Sequence, residues 1–329
     1  MRRLAAATLT AGLLLGAGLT ACGDQGSATS AGEVVVGHAS DEVTGDAAFV
    51  LLPTGRIDLV VGAPTEKLTD EQVEDGRRAP DGGSFLPVSW AHDPFGEGGV
   101  PIGVIGAEPQ EAQVTLVAGG TRADLGSPYR VVGETGTADS GVSTMYVAVD
   151  QSPDEVGDVS FEVTYDGLTQ TVSTSSGERD AGVAAPLYDE PTIGVEAPCT
   201  SEGFATPQVQ PDVSCVVNAP QRTPYLPGHG WAEEGRTFVL VTAFFTVDSV
   251  EVQGSSHDVD EVTPRLTLDG ADPLPPDGRF GEPELQPGAA AGTWAFDVAG
   301  DGVGELEISL DCVLDDGGEV TLQQTVPLG

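Results

Sequence analysis

Short stretches in which apolar and polar residues alternate recur along most of the chain. In Val159–Val163, for example, Val, Phe and Val alternate with Ser and Glu. A two-residue period places alternate side chains on opposite faces of a strand, and clusters of Gly, Pro, Asp and Asn separate the stretches. The pattern therefore predicts an all-β protein. The one helix-like stretch is Leu68–Glu74, where Thr69 and Gln72 predict a capping box and one or two turns.

The two halves of the sequence repeat each other. Val60–Pro64 returns as Val216–Pro220, and Ser84–Ser89 returns as Thr237–Thr242. The later matched blocks are Val114–Leu116 with Leu266–Leu268, Met145–Val149 with Trp294–Val298, and Val156–Val163 with Val303–Leu310. The blocks keep their order, and the separation between partners falls steadily, as expected after one duplication with changes in loop length.

A chain of 329 residues is longer than one hydrophobic core usually holds, so we expect two domains. The repeat places the first at 33–184 and the second at 185–329. Several short antiparallel strands with one apolar face, in about 140 residues, favour a two-sheet sandwich over a barrel. We therefore predict two tandem immunoglobulin-like β-sandwich domains, each able to fold separately.

The second repeat carries a family resemblance. Strand Phe238–Val247, the turn-rich Asp269–Pro276, and Pro287-Gly288 leading into Gly292–Val298 resemble the immunoglobulin-like domains of unknown function in small lipoproteins of high-GC Gram-positive bacteria. In that family the domain is usually a binding or presentation module. The resemblance implies such a role here and brings no catalytic signature.

The resemblance covers residues 210–315 and, more faintly, the corresponding part of the first half. The first half departs from the pattern in the insertion Lys67–Pro80 and at Pro87, because proline cannot donate a hydrogen bond inside a sheet.

The first 21 residues have the features of an export signal. Arg2 and Arg3 precede an apolar stretch, Leu4–Leu19, that is short and rich in Ala and Gly for a membrane span. The sequence Leu19–Cys22 resembles the lipobox of bacterial lipoproteins. The resemblance implies cleavage before Cys22 and attachment of lipid to its thiol, and hence a cell-membrane protein anchored at the extracellular face.

Residues 22–32 are predicted to be a flexible tether, because Gly23–Gly32 contains no bulky apolar residue. A chain of this kind and length has an r.m.s. reach of about 15 to 20 Å, enough to hold the folded part away from the lipid headgroups.

The net charge is −39, from 13 basic and 52 acidic residues. This charge excludes nucleic acid as a partner and argues against electrostatic adhesion to anionic lipid. The predicted partners are the membrane, through the lipid anchor, and an unknown protein or cell-envelope ligand.

Three cysteines remain once Cys22 is acylated, namely Cys199, Cys215 and Cys312, so one disulfide and one free thiol are expected outside the cell. Cys199 with Cys215 closes a short loop. Cys215 and Cys312 each alternate with apolar neighbours, so these two are an alternative pair facing one core.

The candidate metal ligands are Asp258, Asp260 and Glu261, which follow His257 and offer the oxygen atoms that calcium requires. The simpler interpretation is a solvated acidic loop. Asp315–Glu319 is interpreted as a hairpin turn, because Asp-Gly sequences supply the positive φ that such turns need. No other cofactor is predicted.

No catalytic residue is predicted, because the sequence contains no nucleophile elbow, phosphate loop or dinucleotide motif. Trp231 lies among turn-forming residues and is the candidate ligand-contact residue, with a cap on the sandwich as the alternative role. The favoured function is a non-catalytic binding or interaction module. The alternative is a cation-dependent, calcium-binding envelope protein or a cell-wall enzyme.

Replacing Cys22 by alanine should move the protein from the membrane fraction to the medium without changing its fold, because the lipid is its only predicted anchor. Fractionation and immunoblotting would measure the change. A Cys22→Ala protein that stays membrane-bound and unprocessed would show that the leader itself is the anchor.

Overall fold

A computed structural model of the chain describes residues 29–38, 43–94, 109–133, 136–141, 144–189, 196–276, 280–300 and 304–328. It is 60% strand and 4% helix, which confirms the predicted all-β class. No helix in these ranges has the length and hydropathy needed to cross a membrane. The predicted signal peptide, the lipidation residue Cys22 and residues 23–28 lie outside the described residues.

The strands of the first half are β1 (Val34–Val36), β2 (Gly45–Leu52), β3 (Gly55–Gly62), β4 (Lys67–Leu68), β5 (Arg77–Arg78), β6 (Ser84–Asp93), β7 (Gln113–Ala118), β8 (Thr121–Gly126), β9 (Tyr129–Val132), β10 (Gly136–Asp139), β11 (Thr144–Val149), β12 (Val159–Tyr165), β13 (Leu168–Ser173) and β14 (Arg179–Asp180).

A 3₁₀ helix, Gly182–Tyr188, and a one-turn helix α1, Ser201–Phe204, follow. The strands of the second half are β15 (Val209–Val217), β16 (Gln221–Thr223), β17 (Tyr225–Leu226), β18 (Gly230–Trp231), β19 (Arg236–Val252), β20 (Ser255–Leu268), β21 (Glu284–Gln286), β22 (Ala289–Ala299), β23 (Gly304–Leu314) and β24 (Glu319–Leu328).

The first half is a sandwich of two five-stranded antiparallel sheets. One has the order β1-β11-β6-β3-β2 and the other the order β14-β13-β12-β7-β8. The two-residue period explains the core: in β12, Val159, Phe161, Val163 and Tyr165 are buried while the residues between them are half-buried. The apolar faces of the two sheets meet in one cluster, as expected for face-to-face packing.

The second half is also a sandwich, although its two sheets are joined. β15 and β16 pair with one edge of β19, and β22 and β21 follow on the other, while β20, β23 and β24 form the opposite layer. The start of β20 still pairs with the end of β19. A bulge between Val259 and Glu261 then redirects β20 toward β23.

Six strands pair in the same order in each half. In the first half these strands are β3-β6-β11 in one sheet and β7-β12-β13 in the other. In the second half the corresponding strands are β15-β19-β22 and β20-β23-β24. With β21 added beside β22, the second half has the four-plus-three arrangement of an immunoglobulin constant-type sandwich. In the first half β1 takes the corresponding place beside β11, and β2, β8 and β14 are further edge strands. The predicted pair of immunoglobulin-like sandwiches is thus the observed fold.

Strand register repeats along with strand order. Val88 lies opposite Met145, and the corresponding Val241 lies opposite Trp294. In the facing sheets, Leu116 pairs with Phe161, and Leu266 pairs with Ile308. The structure therefore matches Leu116 with Leu266, which corrects the match of Leu116 with Leu268 made from the sequence.

Near both predicted edges of the first domain, residues outside 33–184 pack on the first sandwich. Thr29, predicted to lie in the flexible tether, is buried, and its hydroxyl donates to the Arg78 carbonyl oxygen at 2.7 Å. At the other end, the chain stays on the first sandwich as far as Tyr188. Its hydroxyl accepts from the Leu51 amide at 2.9 Å and donates to the Gln170 side chain at 2.7 Å.

The helical stretch expected at Leu68–Glu74 is a single hydrogen-bonded turn. The Gln72 side chain accepts from the Thr69 amide at 3.0 Å, which is half of the predicted capping box. The chain forms no helix there, because Leu68 and Val73 are both buried against the outer face of the sheet that contains β6.

A small hairpin, β17–β18, joins the two halves. Tyr225 and Trp231 lie opposite each other across it, with ring centroids 5.1 Å apart. Both rings pack against Tyr165 of β12, with centroids at 5.5 and 6.2 Å. The Trp231 indole N–H donates to the Tyr165 carbonyl oxygen at 3.0 Å, and the Tyr225 hydroxyl donates to the Asp166 carboxylate at 2.9 Å.

Residues of the second half therefore complete the first core. Tyr225 is 3% exposed within the core cluster of the first sandwich, and Trp231 packs on the same cluster. The neighbouring Leu226 is buried against the second sandwich, because consecutive strand residues point in opposite directions. The expectation that each half folds separately needs revision, because an isolated first half would expose Tyr165.

Replacing Trp231 by alanine should lower the free energy of unfolding by about 2 kcal/mol, less than for a fully buried tryptophan because the ring is half-exposed. Denaturant unfolding followed by circular dichroism would measure the change. Val132→Ala, at an exposed apolar position, is the control. Equal stabilities of the two variants would show that the hairpin contributes nothing to the first core.

Candidate functional site

The outer face of the β19 sheet is apolar, in contrast with the polar outer face of a typical sandwich. Phe238 and Leu240 of β19, with Ala295 of β22, form a buried cluster on this face under Leu226 and Phe280. The cover formed by Leu226 and Phe280 ends at the next pair of opposed residues, Thr242 and Thr293, whose hydroxyls are hydrogen-bonded at 2.8 Å. Beyond this pair the face is open to solvent.

Three apolar residues lie side by side on the open part. Val216, Phe244 and Ala291 occupy directly opposed positions on β15, β19 and β22. Val216 is 44% exposed and Phe244 is 48% exposed, which places both among the few large apolar residues at the described surface. Opposed residues have Cβ atoms about 5 Å apart, so these side chains form one continuous strip, here called the apolar row.

Residues with short hydroxyl side chains flank the apolar row. Ser214 lies opposite Thr246 on one side, and the Thr242–Thr293 pair lies on the other. Next to them lie exposed acids, namely Asp212 within β15, Asp248 within β19 and Glu284 opposite Ala291 on the edge strand; we call these three the acidic rim.

The first half provides an internal comparison. Because Val88 corresponds to Val241, Ala91 corresponds to Phe244, and the residue opposite Ala91 is Asp58. The structure therefore matches Asp58 with Val216, which corrects the match of Val60 with Val216 made from the sequence. Asp58 forms a 2.7 Å ion pair with Arg56. At this position of the fold, the first half thus has a solvated ion pair and a small side chain. The second half has an exposed Phe–Val pair.

The outer face of the first sandwich is covered in part by its own inserted segment. Leu68 and Val73, 3% and 1% exposed, pack over Phe85, Tyr146 and Ala148. Phe85 corresponds to the covered Phe238, and among the described residues the cover of the second half does not extend to the apolar row. Exposed contiguous apolar surface on a soluble domain is typical of an interaction site.

The predicted metal ligands do not come together. Asp258, Asp260 and Glu261 occupy exposed positions along β20, and they are not among the described side chains whose ligand atoms converge. Instead, the Asp258 carbonyl oxygen accepts from the Asp315 amide at 3.0 Å, and this contact places the β23–β24 turn beside His257.

His257 Nδ1 lies 3.7 Å from Asp315 Oδ1 and 3.4 Å from Asp316 Oδ2. Within the described ranges, these are the three His, Cys, Asp or Glu side chains whose ligand atoms lie within 4.8 Å of one another. Calcium prefers six to eight oxygen ligands, so one imidazole and two exposed carboxylates are a poor match for it.

The cysteines form one of the three pairings left open by the sequence. Cys199 and Cys215 are disulfide-bonded with their Cα atoms 5.6 Å apart, a loop closure worth about 3 kcal/mol in the chain-entropy estimate. Cys312 is free and 2% exposed in the core of the second sandwich. Burial raises the pKa of its thiol to about 11, which makes it unreactive at neutral pH.

The titratable groups with the clearest shifts are structural. Burial, followed by the nearby Tyr165 and Asp166, raises the pKa of the Tyr225 hydroxyl in the joint between the halves. Burial also lowers the pKa of His92, whose ring stacks on Tyr129 at 4.2 Å and whose Nε2 lies 3.1 Å from the Thr54 carbonyl oxygen. Each shift follows from packing, and none lies at the apolar row.

Trp231, the predicted contact residue, belongs to the joint between the sandwiches, and its indole N–H is bound there. Phe244 was not among the residues predicted from the sequence. Its signal was the segment Phe238–Phe245, in which both alternating sets of positions are largely apolar, so both faces of the strand need a partner. No protein-family model matches the chain, and no curated protein is significantly similar to it.

Adding millimolar calcium should raise the melting temperature only slightly, through general screening of the negative charge. The double variant Asp258→Asn, Asp260→Asn should show the same shift as the parent, because these side chains do not converge. Differential scanning calorimetry would measure both. A large calcium-dependent rise that is lost in Asp315→Asn would instead establish the His257 cluster as a cation site.

Proposed function

We propose that the protein is an extracellular lipoprotein, anchored in the cell membrane through Cys22, that acts as a non-catalytic binding module. The leader supports the anchoring, because Leu19–Cys22 resembles a lipobox behind a short apolar stretch. The partner is a protein or another component of the cell envelope, and the net charge of −39 makes nucleic acid unsuitable.

The observation that carries the proposal is the apolar row. In a chain with 52 acidic residues, Phe244 and Val216 are exposed side by side on one sheet face, where the sister position holds Ala91 and Asp58. Exposing a phenylalanine costs stability relative to burying it, so a surface of this kind indicates a partner that covers it.

The architecture suits display of such a surface. The first sandwich follows the lipid-bearing end of the chain, and the second carries the apolar row. The β17–β18 hairpin packs on both. The first sandwich would then act as a spacer between the membrane and the binding surface.

A second candidate is a cation-dependent envelope protein or cell-wall enzyme, favoured only by the His257, Asp315 and Asp316 cluster. Two of these three side chains are more than half exposed, and exposed acids are abundant in this chain. Three ligand atoms on the surface offer neither the enclosure nor the oxygen count of a calcium site. The binding function is therefore preferred.

Pull-down from envelope material should test the binding function with the chain from Gly23 onward, which keeps the buried Thr29. We expect one saturable partner, identified by mass spectrometry. An unrelated protein of similar size and net charge is the control, because the charge alone retains basic proteins. Repeated failure to capture a partner, together with turnover of a cell-wall substrate, would contradict the proposal.

A further inference from the structure

We propose that the apolar row binds a protein segment that presents an apolar side chain surrounded by lysine or arginine. The inference rests on the proposed binding function and specifies the chemistry of its partner. It is carried by the juxtaposition of the apolar row with the acidic rim on one sheet face.

The centre of this surface selects an apolar group. Phe244, Val216 and Ala291 span three adjacent strands, and the hydroxyls of Thr242 and Thr293 bond to each other. A partner that covers the row therefore removes apolar area from water with little loss of hydration of charged groups. The strip is only three residues wide, which suits one or two anchoring side chains.

The surroundings of the row select positive charge. Asp212, Asp248 and Glu284 are exposed around it, and β15, β21 and β22 contain no lysine or arginine. The Arg236 side chain of β19 is bound to Asp297 with Nε 2.8 Å from Oδ1, at the far end of the strand. The exposed charged residues of the acidic rim are all negative, so a basic segment gains both faster association and favourable contacts at the edge.

The same charges disfavour a second copy of the chain as the occupant. In a two-fold dimer through this face, each acidic rim would approach the other, and two chains of charge −39 would be brought together. Like charges placed against each other across an interface cost several kcal/mol. A basic partner has no such cost.

Isothermal titration of a synthetic peptide tests the inference, using the chain from Gly23 onward. The peptide carries a central Leu-Trp pair between two runs of three lysines, and a second peptide has glutamates in place of the lysines. We expect saturable one-to-one binding of the lysine peptide and none of the glutamate peptide. Phe244→Ser should weaken binding at least tenfold.

Matched variants separate the apolar row from general attraction. Asp248→Asn with Glu284→Gln should weaken binding about threefold, whereas Glu74→Gln with Asp75→Asn removes the same charge from the first sandwich and should have little effect. Ala91→Ser is the control for Phe244→Ser at the sister position. Should Phe244→Ser lower the melting temperature substantially, Val216→Ser replaces it.

Three outcomes would overturn the inference: no binding of the lysine peptide, equal weakening by the two charge-neutralising pairs, or binding insensitive to both Phe244→Ser and Val216→Ser. Dimerisation of the parent chain that is abolished by Phe244→Ser, seen by analytical ultracentrifugation, would assign the row to a second copy. A partner captured from the envelope equally well by Phe244→Ser would leave the binding function intact and refute only its placement on the apolar row.

Discussion

Both sandwiches are built on a sheet that is apolar on its two faces, so each needs an outer cover as well as a core. The first half supplies the cover with Leu68 and Val73 of its inserted turn. The second half uses the β17–β18 hairpin and the segment near Phe280. The hairpin projects Leu226 onto the second sandwich and Tyr225 into the first, so the requirement to cover a sheet also joins the two halves.

The sequence predicts best what depends on one buried face. Alternation such as that of Val159–Val163 identifies strands, and the repeat identifies which strands of the two halves correspond, because both copies must satisfy the same core. The two-residue period does not show which residues cover the outer face of a sheet. In Phe238–Phe245 the alternation disappears, and only the folded chain shows that one end of the strand is covered and that Phe244 is not.

The His257 cluster and the disulfide pairing were not predicted from the sequence for a related reason. Metal ligands were sought among neighbours in the chain, whereas His257 meets Asp315 through the pairing of β20 with β23. Side-chain parity allowed Cys215 to face Cys312 as well as to bond Cys199. The edge strand decides between the two pairs, because β15 leaves Cys215 half-buried beside Cys199, whereas β23 holds Cys312 inside the core.

The joint between the sandwiches also has a mechanical consequence. Under the proposed function, a membrane anchor at the amino end and a partner bound near Phe244 would place the part of the protein between those two points under tension. Each sandwich resists unfolding under tension through long ladders of backbone hydrogen bonds, such as the ladder between β19 and β22. The hairpin has strands of two residues and holds the first sandwich through three aromatic rings and two side-chain hydrogen bonds. Under load, the joint should open first, and the protein would lengthen before either sandwich unravels.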